Sequence, residues 1–308
     1  MQLLRKAFIF ETNTPSCHAS TLALTRRGIA AAWFGGTREG DDDVQIYFAR
    51  CEDVFTKPVC VSAPEAVPHW NPVLFDAGGA LLLFYKRGKP IAHWQTMLCR
   101  SDDDGLTWSE PTLLVEGDDG GRGPVKNKPI RLKNGCILAP ASTEQGPWRC
   151  FTDLSRDGGR TWERSADVPM PDESVGVIQP SLWEDAAGVH MLMRSNAGFI
   201  WRADSPDGMH WETAYPTALP NNNSGLDLVQ ICEGHLILCC NPVEKNWGAR
   251  TPLTLFESTD GGGSFRRLLD LETEPGEYSY PSVIYRDGIL HGTYTWRREK
   301  IVYFEAEI

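Results

Sequence analysis

Six polar side chains stand directly before apolar segments of the sequence, where buried strands would begin. They are His18, Asn71, Lys128, Gln179, Asp227 and Tyr280. A second polar set follows apolar segments: Lys86, Ser142, Arg194, Asn241 and the pair Trp296 and Arg297. These side chains supply hydrogen-bond donors and acceptors, cations and a titratable imidazole, which can bind a polar ligand or transfer a proton. Each one alone could be a solvated loop residue. A buried ring of them is costly without a ligand, so the set indicates a ligand pocket.

A repeat with a period of about 50 residues explains how these side chains would be brought together. Its copies read SDDDGLTW from 101, SRDGGRTW from 155, SPDGMHW from 205 and STDGGGSF from 258. In the second copy, Asp157 can accept hydrogen bonds from the amides of its own turn, Gly159 permits a positive φ, and Trp162 can pack back between strands. Four such turns, called Asp boxes, favour four-stranded blades around a central channel.

A strand–hairpin–strand pattern lies upstream of each Asp box. The first strands read HWNPVLF, NKPIRL, IQPSLW and SYPSVI, and LDLVQI and CHASTLAL fit the same frame. The sequence therefore predicts an all-β, six-bladed β-propeller that forms a single domain over residues 1–308, with a degenerate Asp box of the first blade at residues 49–53. Residues 8–12 are expected to pair with the last strand, IVYFEAEI, and to close the ring, which would protect the sheet edges.

The composition restricts the possible partners. A net charge of −11 argues against nucleic acid, which requires a basic surface. The sequence has no membrane-spanning apolar stretch, no secretory signal at its start and no CxxC pair among its nine cysteines, so we expect a cytoplasmic protein with reduced thiols. HExxH motifs and glycine-rich phosphate loops are absent from the sequence, so neither a metal nor a cofactor is expected.

Five segments resemble the sialidase (neuraminidase) superfamily, and more closely its BNR repeat-like branch. They are AAWFGGTREG (31–40), NPVLF (71–75), GPVKNKPI (123–130), LPNNNSGLD (219–227) and YSYPSVI (278–284). The resemblance covers nearly the whole chain. It implies that three arginines bind the substrate carboxylate, that a tyrosine activated by a glutamate is the nucleophile, and that an aspartate of the first blade is the general acid and base. Arginine pairs with a carboxylate through two hydrogen bonds, and a neutral tyrosine does not repel an anionic sugar.

The resemblance assigns roles to individual residues. Arg194 and Arg250 correspond to the second and third arginines. The nucleophile motif matches Tyr278, whereas the repeat frame favours Tyr280. We expect only one of these tyrosines to face the channel.

The acid/base position of the first blade falls on Asp43 or its neighbours Asp42 and Asp41. Two positions depart from the family pattern. Residues 17–19 read Cys-His-Ala where the first arginine is expected, and Gln179 stands where the activating glutamate is expected. His18 is therefore a candidate for acid–base catalysis or anion binding, and Asp227 is a candidate for the missing partner of the tyrosine. The remaining candidate contacts with a sugar are Arg38, Glu39, Asn71, Lys128, Gln179 and Arg297.

Three functions are compatible with this pattern. The leading one is an exo-acting glycoside hydrolase on an acidic sugar, either sialic acid or a related 2-keto or uronic acid. The second is a lyase in which arginine neutralises a uronate carboxylate while His18 or a tyrosine abstracts the C5 proton. The third is a carbohydrate-binding propeller without catalytic activity. In each case the expected partner is an acidic mono- or oligosaccharide.

Overall fold

Residues 1–62 and 64–308 are described by a computed structural model. Over these residues, 24 strands form six four-stranded sheets, and a short 3-10 turn covers Ile91–His93. Neighbouring strands within each sheet are antiparallel. The sheets are the blades of a β-propeller, as the repeats predict.

The first strand, β1 (Gln2–Phe8), belongs to the last blade, and the other strands follow in chain order from the channel outward. Blade 1 contains β2 (Ser16–Thr25), β3 (Gly28–Gly36), β4 (Gln45–Cys51) and β5 (Val59–Cys60). Blade 2 contains β6 (His69–Asp76), β7 (Leu81–Arg87), β8 (Gln95–Ser101) and β9 (Thr112–Leu113). Blade 3 contains β10 (Ile130–Arg131), β11 (Ile137–Thr143), β12 (Arg149–Ser155) and β13 (Glu163–Arg164).

The second half of the ring has longer outer strands. Blade 4 contains β14 (Val177–Glu184), β15 (Val189–Ser195), β16 (Phe199–Ser205) and β17 (Tyr215–Pro220). Blade 5 contains β18 (Asp227–Cys232), β19 (His235–Cys240), β20 (Leu253–Ser258) and β21 (Arg266–Glu272). Blade 6 contains β22 (Tyr278–Arg286), β23 (Ile289–Trp296) and β24 (Lys300–Glu307), with β1 as its outermost strand.

The hydrophobic core is divided into wedges between adjacent blades. One cluster joins Phe34 and Phe48 of blade 1 to Leu83 of blade 2, and another joins Leu255 of blade 5 to Tyr294 of blade 6. The second strand of a blade is covered on both faces, and β15 is accordingly buried at every position. Apolar contacts between the faces of adjacent blades hold the ring together. The polar residues singled out above can therefore lie at the mouth of the channel.

The Asp-box turns are built on hydrogen bonds from backbone amides to one aspartate. In the copy of blade 3, Asp157 Oδ1 accepts from the amides of Arg160 at 3.0 Å and Thr161 at 2.9 Å, and Thr161 Oγ1 donates to Oδ2 at 2.6 Å. These hydrogen bonds lower the pKa of Asp157 to about 2 because they favour the charged carboxylate. The ring of Trp162 packs against Phe84 of blade 2, with centroids 5.9 Å apart, so the turn also connects two blades.

The ring is closed by β1 (Gln2–Phe8), which begins earlier in the sequence than the predicted residues 8–12. Strand β1 pairs with β24 from Gln2 opposite Glu307 to Phe8 opposite Val302, so only Phe8 of the expected segment lies in the strand. Ile9 and Phe10 are instead buried, and Phe10 stacks on Trp33 of blade 1 with ring centroids 4.9 Å apart. The Ile9 amide still donates to the Ile301 carbonyl at 2.9 Å, so the expectation holds for Phe8 and Ile9 only, and Phe10 fills the wedge between blades 6 and 1.

A β-bulge interrupts the inner strand of blades 1, 2, 4 and 6 at the same place. The bulged residues have a left-handed backbone, with φ of 54° at Ala19, 40° at Asn71, 53° at Gln179 and 53° at Tyr280. A left-handed conformation is unfavourable for residues other than glycine and is often found at functional sites. The repeat frame placed His18 at this position in blade 1, but the structure places Ala19 there. Blade 1 lacks the proline that follows the bulge in the other three blades, so the frame was displaced by one residue.

Candidate active site

Tyr280 lies in the middle of the channel mouth. Its phenolic oxygen accepts hydrogen bonds from Arg194 Nη1 at 2.9 Å and from Gln179 Nε2 at 3.3 Å. Arg194 Nη1 also donates to Gln179 Oε1 at 3.0 Å, which closes a triangle of three side chains. Since Gln179 and Tyr280 occupy equivalent bulges in blades 4 and 6, the bulges bring these side chains together across the channel.

Arg194 at the end of β15 is 3% exposed and has only neutral partners. Its Nε donates to Asn223 Oδ1 at 2.6 Å, in addition to the bonds to Gln179 and Tyr280. The rings of Trp148 and Trp247 flank the guanidinium, with centroids 5.9 and 5.5 Å from Cζ. Among the residues that the structure describes, no carboxylate forms an ion pair with it. A buried cation without an ion-pair partner is energetically costly, and an anionic ligand would reduce that cost.

Two further arginines lie beside this triangle. Arg250 Nη1 donates to Glu277 Oε1 at 2.7 Å, and Arg298 Nε donates to the same oxygen at 2.8 Å. Arg298 also forms an ion pair with Glu39 of blade 1. The Cζ atom of Arg250 lies 5.6 Å from the centroid of the Tyr280 ring. Arg194, Arg250 and Arg298 together are called the arginine cluster below.

The sequence analysis did not identify Arg298 and named Arg297 instead. The Arg297 guanidinium packs on Trp296, 4.7 Å from the ring centroid, and donates to the Pro275 carbonyl at 3.3 Å. Both arginines lie in the turn between β23 and β24, and both have a left-handed backbone. Consecutive residues of a turn point in different directions, so position in the repeat could not distinguish them.

His18 lies against Tyr280, with ring centroids 4.2 Å apart. The imidazole is 1% exposed, and its Nδ1 is hydrogen-bonded to Thr295 Oγ1 at 2.9 Å. Burial lowers the pKa of His18 well below its usual value, and the positive charges of Arg298, Arg250 and Arg194 lower it further. His18 is therefore neutral near pH 7, where it can accept a proton or donate a hydrogen bond.

Tyr278 and Tyr280 pack on different sides of β22. Residues two apart lie on the same face of a regular strand, but the β-bulge at Tyr280, where φ is 53°, interrupts the alternation. Tyr278 is 1% exposed in the core between blades 5 and 6, where its ring lies 6.5 Å from that of Trp296. Its hydroxyl lies 3.5 Å from Arg297 Nη2. Of the two tyrosines, only Tyr280 is brought together with Arg194, Gln179 and His18, in agreement with the repeat frame and not with the motif match.

Asp227 and Lys128 form an ion pair inside the channel. Lys128 Nζ lies 2.7 Å from Asp227 Oδ2, and the other oxygen of this fully buried carboxylate accepts from Ser181 Oγ at 2.8 Å. The Val283 amide donates to Oδ2 as well, at 2.9 Å. These contacts connect blades 3, 4, 5 and 6. Asp227 thus accepts three hydrogen bonds from three other blades, and the arrangement suits a structural link better than a base for Tyr280.

Lys126 lies deeper in the channel and was not identified from the sequence. Its Nζ donates to Asn127 Oδ1 at 2.8 Å, to the Leu226 carbonyl at 2.6 Å and to the Pro281 carbonyl beside Tyr280. Burial lowers the pKa of Lys126 to about 7, although the charge of Asp227 opposes that shift. The segment before β10 thereby holds the backbone next to the bulge of Tyr280.

The acidic loop of blade 1 is mostly engaged in ion pairs and turn contacts. Asp43 Oδ2 accepts from the Thr37 amide at 2.9 Å and from its hydroxyl at 2.7 Å. Asp42 pairs with Lys89 of blade 2 at 2.8 Å. Asp41 pairs with Arg38, whose side chain is 80% exposed. Glu39 is the residue of this loop that contacts the arginine cluster.

Asn71 and Glu144 complete the polar part of the mouth. Asn71 occupies the bulge of blade 2 and is 6% exposed. Glu144 follows β11 in blade 3 and was not identified from the sequence. Burial raises the pKa of Glu144, and the nearby charges of Arg194 and Lys86 only partly offset it. A carboxyl group with a raised pKa is suited to donate a proton near neutral pH.

Residues 1–62 and 64–308 contain no group of three His, Cys, Asp or Glu side chains placed to bind a metal ion. The same residues include no helix with the length and apolar character needed to cross a membrane.

Comparison with solved structures supports the fold. The chain superposes on the Hadza microbial sialidase Hz136 with a TM-score of 0.81 at 16% identity, over 96% of this chain and 66% of that one. It superposes on a protein of unknown function from Dyadobacter fermentans with a TM-score of 0.81 at 17% identity, over 100% and 99% of the two chains. For the Trypanosoma rangeli sialidase in complex with the inhibitor DANA, the TM-score is 0.78 at 15% identity, over 98% and 59%. The chain thus spans less than two thirds of the length of either sialidase.

Sequence comparison identifies the family. No curated protein sequence matches the chain significantly. The BNR repeat-like domain family matches residues 28–291, which include all four Asp boxes, Gln179, Arg194, Arg250 and Tyr280. The chain belongs to the BNR repeat-like domain family, within the sialidase-like β-propellers.

Proposed function

We propose that this protein is an exo-acting glycosidase that removes a terminal acidic sugar, with the sugar carboxylate bound by the arginine cluster. The observation that carries the proposal is Arg194, a buried guanidinium that has neutral partners only. The Cζ atoms of Arg194 and Arg250 lie 6.0 and 5.6 Å from the centroid of the Tyr280 ring, so both guanidinium groups border the site in which a carboxylate would be held. The solved sialidase structures named above support the same class of ligand.

Arg298 provides the cationic position that the first blade lacks. The residues of blade 1 at this place are Cys17, His18 and Ala19, but the Arg298 amide carbonyl accepts from the Cys17 amide at 2.8 Å. This contact brings the turn of blade 6 beside β2. The resemblance implies an arginine set that includes blade 1, whereas the set proposed here comes from blades 4, 5 and 6.

In the proposed reaction, Tyr280 is the nucleophile. Tyr280 would give its hydroxyl proton to His18, the neutral base beside its ring, and its oxygen would attack the anomeric carbon while the glycosidic oxygen leaves with a proton from an acid. Water would then attack the anomeric carbon and give a proton to the carboxylate of that acid, and the released tyrosine oxygen would take back its proton from His18. Arg194 and Gln179 both donate to the Tyr280 oxygen, and these hydrogen bonds would stabilise the negative charge that forms on it. Glu144 and Asp43 are the candidates for the acid, and the raised pKa of Glu144 favours Glu144.

A uronate lyase is the second candidate, and two observations favour it. Gln179 cannot take a proton from Tyr280 as a glutamate would, and His18 is a neutral base in contact with the Tyr280 ring. In an elimination, the arginines would neutralise the carboxylate, and His18 or Tyr280 would take the C5 proton. The C4–O bond would then break, the leaving oxygen would be protonated, and a C4=C5 double bond would form.

The deciding experiment is a screen of the purified protein against sialosides and uronate-terminated oligosaccharides. Release of a saturated acidic sugar supports the glycosidase, and a product that absorbs in the near ultraviolet supports the lyase. Arg194→Ala is the control, because it should abolish either activity. If acidic saccharides bind without any product, the protein is a binding propeller. If only neutral sugars are turned over, the acidic-substrate proposal is wrong.

A further inference from the structure

Blade 3 differs from the other blades at the mouth of the channel. Its innermost strand, β10, has two residues, whereas the innermost strands of the other blades have six to ten. Residues 123–128 come before β10 and take no part in its ladder. Asp153 Oδ2 holds the start of this segment by accepting from the Gly123 amide at 2.6 Å, and the chain turns at Lys126, where φ is 74°. The segment is therefore free to contact other blades.

The β-bulges of blades 4 and 6 take backbone carbonyls out of the strand ladders. The ladder between β14 and β15 skips Gln179 and Pro180 in blade 4. The ladder between β22 and β23 skips Tyr280 and Pro281 in blade 6. Gln179 is 2% exposed and Tyr280 is 9% exposed, so water has little access to either bulge. A buried carbonyl without a hydrogen bond is costly, and these bulges therefore need donors from another part of the chain.

Lys126 and Asn127 of the blade 3 segment supply these donors. Asn127 Nδ2 donates to the carbonyls of Gln179 at 2.9 Å and Pro180 at 3.0 Å. Lys126 Nζ donates to the Pro281 carbonyl in blade 6. It also donates to Asn127 Oδ1 at 2.8 Å, so the two side chains form one hydrogen-bonded unit. The segment of blade 3 thus connects the two bulges.

The hydrogen bonds of Lys126 use its whole ammonium group. A protonated lysine has three N–H donors, and Nζ is bonded to the two acceptors above and, at 2.6 Å, to the Leu226 carbonyl before β18. A methyl group added at Gly225 would lie 3.1 Å from Lys126 Cε and 3.3 Å from the ring of Tyr280, so the lysine stem and this ring pack against the same glycine. Lys126 is therefore occupied by the protein itself and is not available to bind a substrate.

From these contacts we propose that Lys126 and Asn127 are positioning residues for Tyr280. They hold the bulges of blades 4 and 6 at the separation that lets Gln179 Nε2 and Arg194 Nη1 both donate to the Tyr280 oxygen. Neither positioning residue needs to touch the substrate. The proposal rests on the proposed function for the role of Tyr280 in catalysis. The placement of the phenol can be measured without any substrate.

The test follows the Tyr280 phenol by NMR in protein that carries a carbon-13 label at Cζ of its tyrosines. Tyr280→Phe identifies the Tyr280 signal among those of the eight tyrosines. The chemical shift of this carbon depends on the hydrogen bonds that the phenol oxygen accepts. At pH 6 the ammonium group is present, because burial lowers the pKa of Lys126 only to about 7. We expect Lys126→Met to displace or broaden the signal, since the Pro281 carbonyl loses its donor and the bulge of blade 6 can then shift.

Two variants complete the design. Asn127→Asp keeps the size of the side chain and an acceptor for Lys126 but removes the donor to blade 4, so it should displace the signal as well. Lys86→Met is the matched control for the signal, because Lys86 is also buried and its Nζ donates to the Arg122 carbonyl at 2.8 Å instead of to a bulge. It should lower the thermal stability and leave the Tyr280 signal in place. The proposal is overturned if the signal moves equally in Lys86→Met, or if it is unchanged in Lys126→Met or, should that variant not fold, in Asn127→Asp.

Turnover provides a second readout. On an aryl N-acetylneuraminide or aryl glucuronide that the unmodified chain turns over, Lys126→Met should lower kcat by about tenfold to a hundredfold and change KM little, because a misplaced nucleophile slows the chemical step. A raised KM with an unchanged kcat would contradict the proposal. If neither compound is turned over but the Tyr280 signal moves as expected, the positioning role is upheld and only the proposed function is rejected.

Discussion

Replacing Arg194 with methionine should separate stability from binding. The change removes three hydrogen bonds, to Asn223, Gln179 and Tyr280. At about 1 kcal/mol each, their loss costs about 3 kcal/mol. The change also removes a buried cation without a carboxylate partner, and relief of such a charge contributes a stabilisation of several kcal/mol. We therefore expect the free energy of unfolding to change by less than about 2 kcal/mol in either direction.

Binding should respond very differently. Loss of a two-pronged, charge-assisted contact to a carboxylate should cost about 2–4 kcal/mol, or about 30- to 1000-fold in affinity. Lysine at this position should restore only part of the affinity, because an ammonium group lacks the planar fork. Calorimetric titration with methyl glucuronide and methyl N-acetylneuraminide, with thermal unfolding in parallel, measures both quantities. Asn71→Ala, at the same mouth but uncharged, is the control and should lose less. A methionine variant that unfolds several kcal/mol more easily yet binds the acid normally would refute the reasoning.

Three further sets of substitutions and one titration test other parts of the molecule. Arg298→Ala should lower affinity for the acidic sugar by about tenfold or more while Arg297→Ala does not, and equal effects in the same titrations would contradict the assignment. Asp157→Ala should destabilise the fold by about 1 kcal/mol at pH 7 without altering binding. Because the pKa of Asp157 is lowered in the folded state, this difference in the free energy of unfolding should be present above pH 4 and fade as the pH falls through about 2. Chemical denaturation across that range measures the difference, and one that persists at the lowest pH would contradict the prediction. Glu144→Gln should reduce turnover more than Asp43→Asn does, and the reverse order in kcat would assign the acid to blade 1. The imidazole of His18 should show no NMR titration between pH 8 and 5 since its pKa is lowered by burial, and a midpoint near 6.5 would mean that the ring is hydrated.

The fold could be predicted because its signals are local and repeated. Each Asp box contains its own turn chemistry, and Asp157 makes its hydrogen bonds within five residues of itself. Four copies at regular spacing then imply the ring. The closing strand was placed too late in the sequence because Ile9 and Phe10 are as apolar as strand residues, and their role in filling the wedge against Trp33 depends on a contact with blade 1.

The site was only partly predictable, because it depends on the directions in which side chains point, and the period of the sequence does not specify these directions. Arg194, Gln179 and Tyr280 occupy repeated positions in the blades, and the repeat frame identified them. Arg298, Trp148 and Trp247 lie between the second and third strands of their blades, in connections whose lengths differ from blade to blade. Their relevance follows from distances to Arg194 and Glu277, which arise only when blades far apart in the sequence meet.

Blade 6 is assembled from the two ends of the sequence, and this has a consequence for folding. Its strands β22 to β24 are the last to be synthesised, while β1 must wait for them across nearly 300 residues before it can pair with β24. Contacts of such long range form slowly because a large loop must close first. Tyr280 and Arg298 both belong to this blade. An intermediate with five blades in place would therefore have a stable core but no assembled site, and the capacity to bind the acidic sugar should appear only when the ring closes.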